Sequence, residues 1–180
     1  MSRDKQLGFI FPGQGSQYVG MGKDFFESFT CAKEVFLEAD EKLGRKLSTL
    51  IFDGSKEQLV LTKNSQVAIY IVSVAIWKVI KEQFPNIQPC VCAGLSLGEY
   101  SALTVSGALE FIDGVQLVQD RGLYMHEASI MHPGTMAVVL GLDSASVQEV
   151  VDMSSEVWVA NLNCPGQVVI SGKAEGISQI

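Results

Sequence analysis

Positive charge is in short supply. The 180 residues hold 13 Lys and Arg against 20 Asp and Glu, a formal net charge of -7. A nucleic-acid partner needs a basic face to meet phosphates, so the net charge argues against that class; a small anion needs only a local site. Residues for metal binding are scarce and poorly spaced. Cys31, Cys90, Cys92 and Cys164 form no C-x-x-C pair, and His126 and His132 lie far from them in sequence, which argues against zinc or any other metal site. The cysteines read as reduced thiols of a cytoplasmic protein, with Cys90 and Cys92 at strand spacing as small apolar residues on one face. Long apolar runs are missing. The stretch Val67 to Trp77 is broken by Ser73 and followed by Lys78, too short to span a membrane, and reads as a buried helix. Met1 to Gln6 is polar, so no signal peptide is read. Repeats, low-complexity tracts and coiled-coil heptads are lacking too. With 47% hydrophobic and 18% charged residues, the chain has material for one full domain, or one and a part.

The best-marked stretch is Ala93-Gly94-Leu95-Ser96-Leu97-Gly98-Glu99-Tyr100. An apolar run, Cys90 to Ala93, leads in, and a helix-like stretch, Glu99 to Leu103, leads out. Ser96 has a glycine two residues away on each side, the G-x-S-x-G pattern of a nucleophile elbow. Such a turn strains the serine backbone, and glycines let strand and helix cross closely beside it. The Leu97 N–H then sits at a helix start, aimed at whatever the serine attacks. Taken alone the pattern is weak, since a serine in a glycine-rich turn is often only a helix cap.

Leu7 to Phe11 is a nearly continuous apolar run, as in a buried central strand. It enters Pro12-Gly13-Gln14-Gly15-Ser16-Gln17, a loop able to turn its N–H groups toward one point but without the G-K-[ST] ending of a nucleotide P-loop. A helical pattern follows from Gly20 to Gly54. Thr30 caps a helix stopped by Gly44, and Leu47 to Phe52 is a shorter piece. Ser55 and Gln58 form a capping box. Asn64 or Ser65 caps a long buried helix to about Phe84, before Pro85. After the elbow, Asp113 to about Ile130 is helical, with Arg121, Tyr124 and Met125 on one face. Beyond Pro133-Gly134 the order is strand (Thr135 to Leu142), helix (from Ser144 or Ser146), two strands (Val157 to Leu162 and Gln167 to Ser171) around a turn at Asn163 to Gly166, and a helix from Lys173. This β-α-β-β-α order begins a ferredoxin-like unit that lacks its last strand. The expected fold is therefore α/β. A hydrolase-like parallel-sheet core occupies residues 1–132, incomplete, and a truncated ferredoxin-like small subdomain occupies 133–180, as in a fragment of a longer protein.

Four motifs in this order and spacing make the chain resemble the malonyl-CoA:acyl carrier protein transacylases, within the acyltransferase superfamily of fatty-acid and polyketide synthesis. They are Phe11 to Gln17, Gly94 to Leu103, Asp120-Arg121-Gly122, and Asn161 to Ile170. The resemblance implies that Ser96 takes up the malonyl group as an ester and that the backbone N–H groups of Gln14 and Leu97 form the oxyanion hole. It implies too that Arg121 grips the free malonyl carboxylate and that Met125 belongs to the pocket wall. Malonyl-CoA and acyl carrier protein are the implied partners, with no metal or redox cofactor and no membrane. Asn161 and Asn163 receive no role. The family usually has histidine where this chain has Leu95, a change in the support of the elbow. Its catalytic histidine lies beyond the small subdomain, and the sequence stops before it. His126 sits five residues past Arg121, roughly 140° round the helix, and His132 adjoins Pro133 in a loop, so neither is expected to act as the base. Two other classes stay open. One is a serine carboxylic ester hydrolase with water as acceptor; the other is a non-catalytic protein that binds coenzyme A or carrier protein. A histidine in downstream sequence favours the transferase, and a true stop after Ile180 favours the binder.

Overall fold

The structure, a computed structural model, describes residues 7–180. The chain forms two compact units, one up to His126 and one from Glu127 to Ile180. The division falls inside a continuous helix, ahead of the Pro133-Gly134 break where the sequence places it.

In the first unit β1 (Gly8–Phe11) and β2 (Val91–Gly94) pair in parallel, Gly8 opposite Val91 and Phe11 opposite Gly94. Parallel neighbours need a long crossover. Here it runs through α1 (Lys23–Ser28), α2 (Thr30–Leu43), α3 (Leu47–Asp53), α4 (Lys56–Val60) and α5 (Thr62–Gln83). Helices α6 (Gly98–Val105) and α7 (Phe111–Met131) follow β2. The core centres on α5, buried without a break from Asn64 to Val72 and packed with Val35 and Phe36 of α2.

Strand β1 is not the fully buried strand its composition suggests. Phe9 and Phe11 turn inward with Cys92, Ala102 and Val105, whereas Ile10 is 85% exposed and Val91 is 61% exposed. Two strands with helices against one face alternate their side chains between core and outside. Cys90 lies outside β2 and is exposed, so it does not share the inner face with Cys92. Several helix starts differ from expectation as well. Thr30 is the first residue of α2, with Phe29 before it as an uncapped start. Asn64 and Ser65 lie inside α5, where the Asn64 amide donates to Gln58 O at 2.8 Å instead of capping. The Ser55 cap is present: its Oγ accepts from the Gln58 N–H at 3.2 Å. Gly44 ends α2 at φ 62°, a left-handed residue.

The second unit contains β3 (Thr135–Leu140), α8 (Ser144–Val151), β4 (Val157–Cys164), β5 (Gln167–Gly172) and α9 (Ala174–Gln179). Its sheet has the order β3-β5-β4, with β5 antiparallel to both neighbours. That is the split βαβ arrangement of a ferredoxin-like unit. Val147 and Val151 of α8 meet Val157, Val168 and Ile170 in its core. The cap of α8 is Asp143, not a serine. Asp143 Oδ1 accepts from the Ser146 N–H at 2.9 Å, a bond that holds the Asp143 carboxyl below its ordinary range. The turn between β4 and β5 is tighter than expected, only Pro165 and Gly166.

Candidate active site

Ser96 has φ +54°, the one positive value at a non-glycine among the described residues. The strain is held by close backbone approach. A Cβ on Gly94 would lie 2.0 Å from the Gly98 carbonyl carbon, and one on Gly98 would lie 2.3 Å from Phe11 O. The end of β1, the elbow and the start of α6 therefore fit together only with glycine at both places. Gly13 brings in the preceding loop, since a Cβ there would stand 2.8 Å from Leu95 O. The loop fastens itself through Ser16 Oγ to Gly13 O at 2.9 Å and the Gly15 N–H to Gln17 Oε1 at 2.8 Å. The Leu97 side chain is fully buried and anchors the turn. Neither the Leu97 nor the Gln14 backbone N–H donates to an acceptor among the described residues. Leu95 is 61% exposed, so its side chain projects away from the other described residues.

A chain of side-chain hydrogen bonds leads away from the serine. Arg121 Nη2 donates to Ser96 Oγ at 2.8 Å, and Arg121 Nη1 donates to Gln66 Oε1. Gln66 Nε2 donates to Gln14 Oε1 at 3.4 Å and to Met125 Sδ at 3.2 Å, and Gln14 Nε2 donates to Thr62 Oγ1 at 3.2 Å. The Arg121 guanidinium lies over the Tyr100 ring, 5.9 Å from its centroid. Arg121 forms no ion pair among the described residues, so its charge is uncompensated beside the serine.

The structure thus gathers Ser96, Gln14, Arg121 and Met125 into one cluster, with Leu97 adjoining. Tyr124, on the expected face of α7, is instead 69% exposed and outside it. His126 is half-buried on α7, and His132 is exposed. Sequence reasoning missed Gln66, Thr62 and Tyr100. Gln66 stood within Asn64-Ser65-Gln66, a polar triplet that reads as a helix start. Its signal was a glutamine one residue before an apolar run on a helix expected to be buried.

Two further side chains, Tyr70 and Arg45, fix the helices that carry the cluster. Tyr70 Oη on α5 shares a 2.7 Å bond with Thr104 Oγ1 of α6 and donates to Phe111 O of α7 at 3.2 Å. Burial pushes the Tyr70 hydroxyl up to about 12. Arg45 donates to Asn64 Oδ1 at 2.9 Å and to Gln119 Oε1 at 3.1 Å, tying the start of α5 to α7. An apolar cavity of about 490 Å³ beside β1, lined by Phe9, Ile10, Met21, Phe25, Ile69 and Ile76 among others, includes neither Ser96 nor Arg121. Among the described residues no cluster of His, Cys, Asp and Glu could hold a metal ion, and no helix is long and apolar enough to cross a membrane.

Residues 8–180 match the family described as acyl transferase domain. The chain is 49% identical over 176 residues to the malonyl CoA-acyl carrier protein transacylase of Bacillus subtilis (strain 168), covering 96% of this chain and 55% of that protein. It superposes with a TM-score of 0.89 on the crystal structure of malonyl CoA-acyl carrier protein transacylase from Clostridium perfringens, at 42% identity, covering 97% of this chain and 56% of that one. It matches equally, at TM-score 0.89 and 39% identity, a malonyl-transacylase solved in complex with a type II polyketide-synthase acyl-carrier protein, covering 97% of this chain and 57% of that one. The chain spans little more than half the length of these relatives.

Proposed function

The chain belongs to the acyl transferase domain family, and from that premise we propose that it carries the nucleophile and the carboxylate clamp of a malonyl-CoA:acyl carrier protein transacylase. One observation bears most of the weight: an unpaired guanidinium donates to the elbow serine at 2.8 Å. A cation kept out of ion pairs at a nucleophile suits an acyl group that brings its own negative charge. In a malonyl ester the free carboxylate lies roughly 4 Å from the serine oxygen by bond geometry, within reach of Arg121. The planar fork can take it through two parallel hydrogen bonds.

In this reading Ser96 Oγ attacks the thioester carbonyl and the C–S bond breaks. Coenzyme A leaves as a thiol, and the serine proton passes to a base that the reading does not place within residues 7–180. The oxyanion forms against the N–H groups of Leu97 and Gln14, and Met125 bounds the acyl group. The phosphopantetheine thiol of an acyl carrier protein then attacks the malonyl-serine ester, which gives ping-pong kinetics. The relative solved with a carrier protein supports that acceptor. Nucleophilic exchange of this kind moves no electrons between oxidation states, so it calls for no redox cofactor. We place the protein in the cytoplasm, where both partners of such a reaction are soluble. An ester hydrolase acting on an uncharged acyl group would leave the Arg121 cation beside Ser96 without a partner.

The test uses the full-length protein. Malonyl-CoA should add a malonyl mass to the peptide containing Ser96, and Ser96→Ala should abolish it. Label that persists in Ser96→Ala refutes the reading.

A further inference from the structure

We propose that Gln66 is a specificity-determining residue because it is neutral: it orients Arg121 without consuming its charge. The inference rests on the transacylase reading above. Gln66 is fully buried in α5, and each polar atom of its amide is used. Nε2 donates to Gln14 Oε1 and to Met125 Sδ, at 3.4 and 3.2 Å. Those two acceptors fix which way the amide points, because an NH2 group cannot turn its oxygen toward them. Oε1 is therefore presented to Arg121 Nη1. With Tyr100 under the guanidinium and Ser96 Oγ on Nη2, Arg121 is held on three sides.

A carboxylate beside a partly buried arginine satisfies its charge. Here an amide of nearly the same shape takes that place. A carboxylate at position 66 could still accept from the fork, without the Nε2 donations to Gln14 and Met125, but would neutralise it, leaving little attraction for a substrate carboxylate. The neutral acceptor keeps the orientation and leaves the charge for the ligand. The same amide ties the clamp to Gln14, whose N–H is assigned to the oxyanion hole.

Gln66→Glu in the full-length enzyme tests this: shape is nearly kept, a negative charge is added, and the Nε2 donations to Gln14 and Met125 are lost, a loss that Gln66→Met shares without the charge. kcat/KM for malonyl-CoA should fall at least about tenfold, mainly through KM, while acetyl-CoA transfer moves less than about threefold. Gln66→Met keeps the Arg121 charge but loses the acceptor, and should cost malonyl preference less than Gln66→Glu does. Malonyl preference retained in Gln66→Glu overturns the proposal, as does an equal fall for both substrates in both variants, which marks a merely structural residue. Failure of the transacylase reading shows separately, as absence of Ser96 labelling in the unaltered enzyme.

Discussion

Two turns in this chain use glycine for opposite ends. At the elbow between β2 and α6, the glycines flank the strained residue and the strain falls on Ser96, at φ +54°. At the β4–β5 hairpin, Pro165 leads into Gly166, and the glycine itself takes the left-handed conformation at φ +76°, the pattern of a type II turn. Around the elbow glycines there is no room: missing Cβ atoms would lie 2.0 to 2.3 Å from backbone atoms. Around Gly166 the nearest atom would be 3.9 Å away. One turn is packed so that a reactive side chain can be forced out; the other only reverses the chain. Strain borne by a side chain that could have been glycine marks a site, whereas strain avoided by glycine marks a fold.

The comparison breaks most visibly at Gly98. Gly98→Ala drives a Cβ into Phe11 O, a backbone atom that cannot rotate away. It should cost about 3 kcal/mol or more, read as a lowered urea midpoint. An Ala variant as stable as the parent would mean that the elbow has slack. Next in size is Arg121→Ala. Loss of the charged fork should lower kcat/KM for malonyl-CoA on the order of 100-fold while acetyl-CoA transfer falls far less. Equal losses for the two substrates would make Arg121 structural.

How much of this was visible in the sequence follows from the range of the interactions. The elbow was legible because its chemistry is local: two glycines and a serine at fixed spacing. The ferredoxin-like order was legible because alternation and turn residues mark antiparallel strands. Arg121 carries no local mark, and only the family pattern singled it out. Gln66 stayed hidden because its partners are 52, 55 and 59 residues away in sequence, a distance over which periodicity carries no information. Asn64 and Ser65 misled for a related reason. Polar residues at the head of an apolar run favour caps, but a buried tie such as that of Asn64 to Arg45 uses the same residue type inside the helix. The exposed Ile10 shows that an apolar run reports hydrophobicity but not which face is covered.

Two middle-sized effects sharpen the contrast. Ser96→Gly places the permissive residue where the strain is stored, and should stabilise the protein by about 1–2 kcal/mol while abolishing acylation. A Ser96→Gly variant no more stable than Ser96→Ala, which loses the same Arg121 hydrogen bond, would show that Ser96 is unstrained. Tyr70→Phe removes the hydroxyl that joins α5, α6 and α7, and should cost about 1.5 kcal/mol at neutral pH. It should also change the alkaline limb. Tyr70 ionises near 12 in the folded chain and near 10 when unfolded. Its contribution is complete below pH 10 and is lost as pH rises from 10 toward 12, because the unfolded state releases its proton first. In the Phe variant this fraction of the alkaline slope disappears; an unchanged slope would place its cause elsewhere.

The smallest expected effect is at the hairpin, where space is not the constraint. Gly166→Ala meets no neighbour closer than 3.9 Å, so overpacking contributes nothing. What remains is the backbone. A side chain at φ +76° is disfavoured in any L-residue, and the cost is about 1 kcal/mol. Asparagine tolerates this region better, so Gly166→Asn should cost only about a few tenths of that amount. The Gly166 carbonyl accepts from the Gly141 N–H at 2.9 Å, a bond neither variant removes. Urea midpoints should therefore rank parent, Asn and Ala in that order, with Ser96 acylation unchanged in all three. At the elbow the same pair should behave differently: Gly98→Asn and Gly98→Ala should be equally damaging, since there the Cβ collides and residue preference no longer matters. If Asn rescued Gly98 as it rescues Gly166, the elbow glycines would be conformational like the hairpin glycine, and the distinction between the two turns would be lost.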